Sequence, residues 1–94
     1  MNAYETMLVF RPDVEDEKRE ALIERLKGIV AKEDGKFSVD NWGLRKLAYE
    51  INDYPEGYYS VLEYETDPEE IKEVTRVCRI SDVLLRYMTI AKED

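Results

Sequence analysis

The order of strand and helix patterns is the sequence feature that most restricts the fold of this chain. A first strand is predicted over Tyr4–Phe10 (YETMLVF), and Pro12 follows it in a short acidic turn. Apolar residues then recur at three- and four-residue spacings over Asp16–Lys32. This spacing predicts an amphipathic helix, which Gly35 is well placed to end.

The middle of the chain predicts a β-hairpin. Residues 36–51 form a long second strand in this interpretation, and Gly43 marks a bulge or a close approach of two backbones. The segment Asn52–Gly57 (NDYPEG) has the composition of a turn. Tyr58–Glu65 (YYSVLEYE) is the predicted third strand, which should pair with the second.

A second helix is predicted to begin at Asp67 and Pro68, where Asp67 can cap, proline suits the first helical position and Glu70 can complete a capping box. Its apolar stripe consists of Ile71, Val74, Val77 and Cys78. The helix should end around residues 80–82, and Leu84–Lys92 should form the last strand.

The resulting order is strand, helix, strand, strand, helix, strand. It predicts a ferredoxin-like split βαβ sandwich of the α+β class, in which two helices cover one face of a four-stranded antiparallel sheet. The 94 residues are expected to form one domain, residues 1–94. The face without helices should be polar, because it meets water.

The strands do not show that clean alternation. In the first strand Tyr4, Leu8 and Phe10 share one side, while Met7 and Val9 share the other. In the last strand the side of Arg86 is expected to carry three apolar residues, namely Leu84, Met88 and Ile90. This pattern predicts a partner on the open face, although small sheets also expose a few apolar residues without any partner.

The charge distribution limits nucleic-acid binding to particular surfaces. The net charge is -8, and residues 50–74 hold nine acids and one base. Residues 35–49 and 75–92 carry net charges of +2 and +3. Clustered cations favour RNA phosphates, but a solvated charged strand edge is an alternative explanation of Arg45 and Lys46. Compensation of the helix dipole would explain Arg79.

Catalysis and cofactor binding have little support. The chain has no histidine, its glycines are isolated, and Cys78 lies on the apolar stripe of the second helix, where packing explains it. We expect no catalytic residues, no metal site, no cofactor and no small-molecule substrate. One cysteine excludes an internal disulfide, and neither a signal peptide nor a membrane span is predicted, which favours a cytoplasmic protein.

Aromatic residues next to the cations allow RNA contacts by stacking. The third strand also stands where the RNA-recognition motif has an aromatic signature, because the element order is the same. It keeps Gly57 and the following aromatic, but Glu56 and Ser60 stand where a basic residue and a stacking ring are expected. For Trp42, burial inside the hairpin and contact with a partner remain equally open.

The whole chain resembles the bacterial small-subunit ribosomal protein six family. The resemblance lies in Tyr4-Glu5, in Pro12, in the specific run WGLRKLAYEI at residues 42–51, in Gly57-Tyr58 and in RISD at residues 79–82. It implies a non-enzymatic split βαβ protein in the small ribosomal subunit. Such proteins bind the central domain of small-subunit ribosomal RNA together with ribosomal protein eighteen.

The resemblance also implies roles for individual residues. RNA contacts are expected at Tyr4, Arg45, Lys46, Arg79, Arg86 and Lys92, although Arg45 and Lys46 are equally placed for the partner protein. Contacts with ribosomal protein eighteen are expected at Trp42, Leu47, Tyr49 and Tyr59. Two alternatives stay open on the residues alone: a free-standing RNA-binding regulator and an acylphosphatase-like hydrolase, the latter lacking the glycine-flanked anion loop.

Overall fold

The predicted element order is present in the computed structural model, which describes residues 2–31 and 36–92. The elements are β1 (Asn2–Phe10), α1 (Asp16–Val30), β2 (Phe37–Ile51), β3 (Tyr54–Thr66), α2 (Pro68–Ile80) and β4 (Leu84–Ala91). The strands form one antiparallel sheet in the order β2-β3-β1-β4. The predicted split βαβ fold is therefore confirmed. The predicted end of the first helix, at Lys32 and Gly35, lies outside the described residues.

One face of the sheet packs against both helices and forms the core. Leu8 and Phe10 of β1 are fully buried there, as the alternation of β1 predicts. The helices contribute the apolar residues of their inner sides, namely Leu22, Ile23, Leu26 and Val30 from α1 and Val74, Val77 and Cys78 from α2. Each fully buried aliphatic side chain stabilises the fold by about 1.5–3 kcal/mol relative to exposure.

A chain of hydroxyl groups crosses three strands inside this core. The Tyr64 hydroxyl lies 2.7 Å from Thr6 Oγ1, which lies 2.8 Å from Thr89 Oγ1. Because a buried hydroxyl without a partner is costly, these bonds make the polar groups compatible with burial. Burial also raises the pKa of Tyr64 above its ordinary value.

The turn between β2 and β3 is shorter than the sequence predicts. Only Asn52 and Asp53 form it, with φ values of 49° and 69°, the left-handed pair of a two-residue hairpin turn. The prediction that Asn52–Gly57 is a turn was wrong, because residues 54–57 belong to β3. Pro55 is tolerated there because β1 pairs with β3 only from Tyr58 onward, so the side of β3 next to Pro55 has no strand neighbour.

Gly57 has a packing function instead of a turn function. A Cβ at this position would lie 2.5 Å from Val9 Cγ1, inside van der Waals contact. Val9 is itself buried, and a branched side chain at that site moves little. The glycine therefore permits the close approach of β3 and β1 where the hairpin leaves the rest of the sheet.

A bulge in β4 corrects the predicted faces of that strand. Leu84 pairs with Phe10 and Arg86 pairs with Val9, so Leu85 has no partner in β1 and is the extra residue of a β-bulge. Leu84 consequently packs against the helix-covered core. The prediction that Leu84 shares a face with Arg86 was wrong. The extra residue between them turns Leu84 to the face opposite to that of Arg86.

The start of α2 agrees with the prediction in position but not in its side-chain bond. Asp67 is the N-cap residue and Pro68 begins the helix, yet the Asp67 side chain makes no capping hydrogen bond. The Asp67 carbonyl instead accepts a 3.0 Å hydrogen bond from the Glu70 amide. The helix start thus depends on backbone geometry and on the proline.

Candidate functional site

The sheet face without helices, here called the open face, carries a row of side chains that crosses all four strands. Tyr59 pairs with Val9, and Val9 pairs with Arg86, so these three residues face the same way. Gly43 of β2 pairs with Tyr59 and brings the neighbouring Trp42 to the same row. With strands about 4.8 Å apart, the row is roughly 14 Å long.

Trp42 lies at the predicted bulge of β2, which is confirmed. Asn41 pairs with Ser60 and Gly43 with Tyr59, so Trp42 is the extra residue, and Gly43 adopts a φ of 84° that glycine permits. The indole ring stacks on Tyr59 with 6.2 Å between ring centroids, and Nε1 donates a 3.0 Å hydrogen bond to Asp40 Oδ2. Trp42 remains 43% exposed. The hairpin therefore orients this ring without burying it.

Arg45 and Lys46 point to opposite faces of β2, because successive residues of a strand alternate. The Arg45 guanidinium lies 5.9 Å from the centroid of the Trp42 ring, and its Nε donates a 3.4 Å hydrogen bond to the Trp42 carbonyl. Arg45 thus belongs to the open face. Lys46 is exposed on the other side, so the two cations meet different surroundings.

Apolar residues surround the row. Met88 and Ile90 of β4 are 54% and 46% exposed, and both pair with open-face positions of β1. A shallow depression of about 230 Å³ is lined by Met7, Val9, Tyr59, Arg86, Tyr87 and Met88. The prediction of apolar side chains on the open face is confirmed for Met7, Val9, Met88 and Ile90. An exposed apolar patch beside cations is typical of a protein-binding or RNA-binding surface.

The projecting part of the hairpin extends this surface. Residues 45–51 and 54–57 continue past the last pair of β1 and β3, which is Phe10 with Tyr58. Tyr49 is 67% exposed on this projection, and Leu47 is half-buried beside Gly57. A 3.4 Å hydrogen bond from the Tyr54 hydroxyl to Asp13 Oδ2 ties the hairpin to the residues before α1.

The remaining predicted cations are spread over the molecule. Arg79 is exposed in the last turn of α2, on the helix side of the sheet. Lys92 follows β4, roughly 20 Å along the strand from Arg86 at about 3.3 Å per residue. Its Nζ lies 3.3 Å from Glu63 Oε2, an ion pair that reduces its effective positive charge. The structure therefore places Arg45 and Arg86 on the open face, on its two edge strands, whereas Arg79 lies on the helix side and Lys92 lies at the far end of β4.

Tyr4, one of the expected RNA contacts, is a core residue. It is only 7% exposed, and its ring packs against Tyr64 with 6.1 Å between centroids. A ring in that position contributes to the core and cannot stack on a nucleotide base. An RNA contact would be limited to its hydroxyl, which lies 3.5 Å from Asn2 Nδ2.

The site prediction did not include Met88 and Ile90 among the contact residues. Their signal was present in the sequence as alternating apolar residues in the last strand. That signal predicted a partner on the open face, but it wrongly grouped Leu84, which the bulge turns into the core, with Met88 and Ile90. The pairing of β4 with β1 identifies the true members of the open face.

The described residues offer no catalytic arrangement. Cys78 is buried, and desolvation raises the pKa of its thiol to about 11, which keeps it protonated at neutral pH. Across residues 2–31 and 36–92 no group of three or more potential ligands could hold a metal ion. Within the same ranges no helix is both long and apolar enough to cross a membrane.

Comparison with known proteins gives one consistent result over almost the full chain. The sequence model of the family described as ribosomal protein S6 matches residues 3–91. The small ribosomal subunit protein bS6 of Desulfitobacterium hafniense is 41% identical, and that of Caldanaerobacter subterraneus 43%, each with 100% of both chains covered. The crystal structure of 30S ribosomal protein S6 from Thermotoga maritima superposes with a TM-score of 0.86 at 34% identity, covering 97% of this chain and 87% of that one.

Proposed function

Since this chain belongs to the ribosomal protein S6 family of the bacterial small subunit, we propose that it docks onto the central domain of small-subunit ribosomal RNA as a heterodimer with ribosomal protein eighteen. The family consists of structural ribosomal proteins and not of enzymes. The function is therefore one of assembly, performed in the small ribosomal subunit of the cytoplasm. No reaction and no cofactor belong to it.

The observation that supports this proposal most strongly is the exposed stack of Trp42 on Tyr59 at one end of the row. Trp42 stacks on Tyr59 and keeps nearly half of its surface accessible. Large aromatic rings that are held in place before binding lose little conformational entropy on contact, and they dominate the energy of many protein interfaces. We assign the open face around Trp42, Tyr59, Leu47 and Met88 to ribosomal protein eighteen.

The RNA contacts are assigned to cations on both sides of the sheet. Arg86 lies on β4, the edge strand, and Arg79 lies in the turn of α2 that leads into β4. Arg45 stands beside Trp42 and would contact whatever covers the indole, whereas Lys46 faces the other way. Lys92 is a weaker candidate because Glu63 already pairs with it. Arginine binds phosphate oxygens in a bidentate geometry, which favours Arg79 and Arg86.

Because the net charge is -8, RNA binding should depend on the partner protein. An acidic chain is repelled by phosphates beyond the reach of its few exposed arginines. A basic partner bound to the open face would reverse that balance and add its own contacts at high effective concentration. We therefore expect the heterodimer to bind RNA much more tightly than either protein alone.

The test is a measurement of affinity for a central-domain RNA fragment, with this protein alone, with ribosomal protein eighteen alone, and with both, over a series of salt concentrations. We expect weak binding by this protein alone and tight, salt-dependent binding by the pair. Tight binding of short single strands by this protein alone would contradict the proposal and favour a free-standing RNA-binding regulator. Equal binding with and without the partner would also contradict it.

A further inference from the structure

We propose that the outward side of α2 is a second contact site for the sugar-phosphate backbone of RNA, formed by Lys72, Arg76 and Arg79. This inference rests on the proposed function, because it assumes that the chain binds RNA in the assembled complex. It adds Lys72 and Arg76 to the RNA contact already proposed at Arg79. The RNA-binding surface then extends along the helix side of the molecule, away from the open face.

The three cations form a stripe along the helix. Positions separated by four and three residues lie on one side of an α-helix, within about 60° of one another. Val74 and Val77 occupy the opposite side and are buried in the core. The cations are exposed and border a shallow depression of about 480 Å³, whose other lining residues are Pro68, Ile71 and Thr75.

The helix dipole does not explain this stripe. A cation is stabilised by the carbonyl end of a helix only within the last turn. Arg79 lies in the last turn of α2, but Lys72 is the fifth residue and Arg76 the ninth of Pro68–Ile80. Two of the three cations therefore need another explanation, and in a chain with 22 acids and 14 bases three aligned cations are an unusual arrangement.

The stripe keeps donors available for phosphate oxygens. Glu73 pairs with Nε of Arg76 and, at 3.0 Å, with its Nη2, which leaves Nη1 outside the pair. Among the residues that the structure describes, Lys72 and Arg79 have no ion pair. The stripe extends about 10 Å along the helix axis, and it includes Arg79, which is already one of the RNA contacts proposed above. This shared residue favours RNA over an acidic protein segment as the ligand.

The experiment uses the heterodimer with ribosomal protein eighteen and measures its affinity for the central-domain RNA fragment over a salt series. The variants are Lys72→Ala and Arg76→Ala, and the control is Lys18→Ala, which removes one exposed cation from α1. Each stripe variant should lower the slope of log affinity against log salt by about one unit. Between about 50 and about 200 mM salt, the affinity of such a variant should therefore fall by a factor that is about fourfold smaller than for the native pair.

Glu73→Gln supplies a variant with the opposite expected effect. It removes the carboxylate that competes for Arg76, so RNA affinity at low salt should rise, and the rise should be absent when Arg76 is also alanine. The affinity between the two proteins should not change in any stripe variant. If Lys72→Ala and Arg76→Ala both kept the slope of the native pair, as Lys18→Ala should, the stripe would not be an RNA contact. The proposed function would be unaffected by that result. A loss of affinity for ribosomal protein eighteen would also overturn the stripe, and failure of the native pair to bind RNA would overturn both proposals.

Discussion

The helix-covered face and the open face of the sheet alternate residue by residue along β1, yet they differ in what their apolar residues contact. Leu8 and Phe10 are covered by the two helices. Val9, between them, lies in the row that links Tyr59 to Arg86. The helix side is closed and fully packed, whereas the open side leaves Trp42, Met88 and Ile90 largely exposed.

This difference predicts that the helix-covered face determines stability and that the open face determines partner binding. Side chains on the helix side gain their burial when the chain folds, so their loss should lower the free energy of unfolding. Exposed apolar side chains gain theirs only when a partner arrives, so their loss should lower affinity while stability changes little. Substitutions on the two faces therefore test the assignment of each face.

The largest expected effect is that of Phe10→Ala on the helix-covered face. Phe10 is fully buried, and its truncation would leave a cavity among α1, α2 and the sheet, costing about 3–5 kcal/mol of unfolding free energy. Met88→Ala on the open face is the control and should cost less than about 1 kcal/mol. Chemical denaturation monitored by circular dichroism measures both, and similar losses would contradict the separation of the faces.

The next largest effect is expected in binding. Trp42→Ala should weaken the affinity for ribosomal protein eighteen by about 2 kcal/mol or more, roughly 30-fold, because a preoriented indole is a typical interface anchor. Ile80→Ala is the control, since Ile80 is exposed at the end of α2 and away from the sheet. Calorimetry of the purified pair measures the affinity. If Ile80→Ala weakened binding more than Trp42→Ala, the open face would be the wrong interface.

A smaller loss of stability is expected from Thr6→Val. Valine keeps the shape of threonine but removes the hydroxyl that bonds Tyr64 and Thr89. Because the Tyr64 hydroxyl would be left buried without that partner, the cost should be about 1–3 kcal/mol. Thr89→Val should cost less, since Thr89 is partly exposed. Equal thermal unfolding of wild type and Thr6→Val would show that the hydroxyl chain contributes nothing.

The last effect is a pH dependence, which is expected at alkaline pH and vanishes near neutrality. Burial raises the pKa of the Cys78 thiol from 9.0 to about 11, so the folded state holds its proton where the unfolded state loses it. The stability from this group is fully present below pH 9 and declines as the pH rises toward about 11. Cys78→Ser does not titrate there. The difference in unfolding free energy between wild type and this variant should be constant below pH 9 and change above it, and a constant difference throughout would contradict the assignment.

The sequence predicts features of this fold that have a local signal. The helix stripes, the strand order and the bulge at Gly43 follow from spacing and from a residue type that permits unusual backbone angles. The bulge at Leu85 has no such signal, because leucine is an ordinary strand residue and only the pairing with β1 reveals the extra position. Gly57 misled the turn prediction for a related reason: its role is a contact with Val9, which is distant in sequence.

The candidate site divides in the same way. Trp42, Tyr59 and the cations were identified by residue type and by family resemblance, and the structure adds which of them share a face. The alternation of β1 correctly grouped Tyr4 with Leu8 and Phe10, but only the position of the helices shows that this side is buried. That Arg45 and Lys46 point apart follows from strand alternation once β2 is established.

The most direct test of the open face as the docking surface is the fluorescence of Trp42, the single tryptophan of the chain. Trp42 is 43% exposed in the free protein, so its emission should be red-shifted and readily quenched by acrylamide. Addition of a tryptophan-free version of ribosomal protein eighteen should shift the emission to the blue and protect it from quenching. Formation of the heterodimer with emission and quenching unchanged would contradict the central claim.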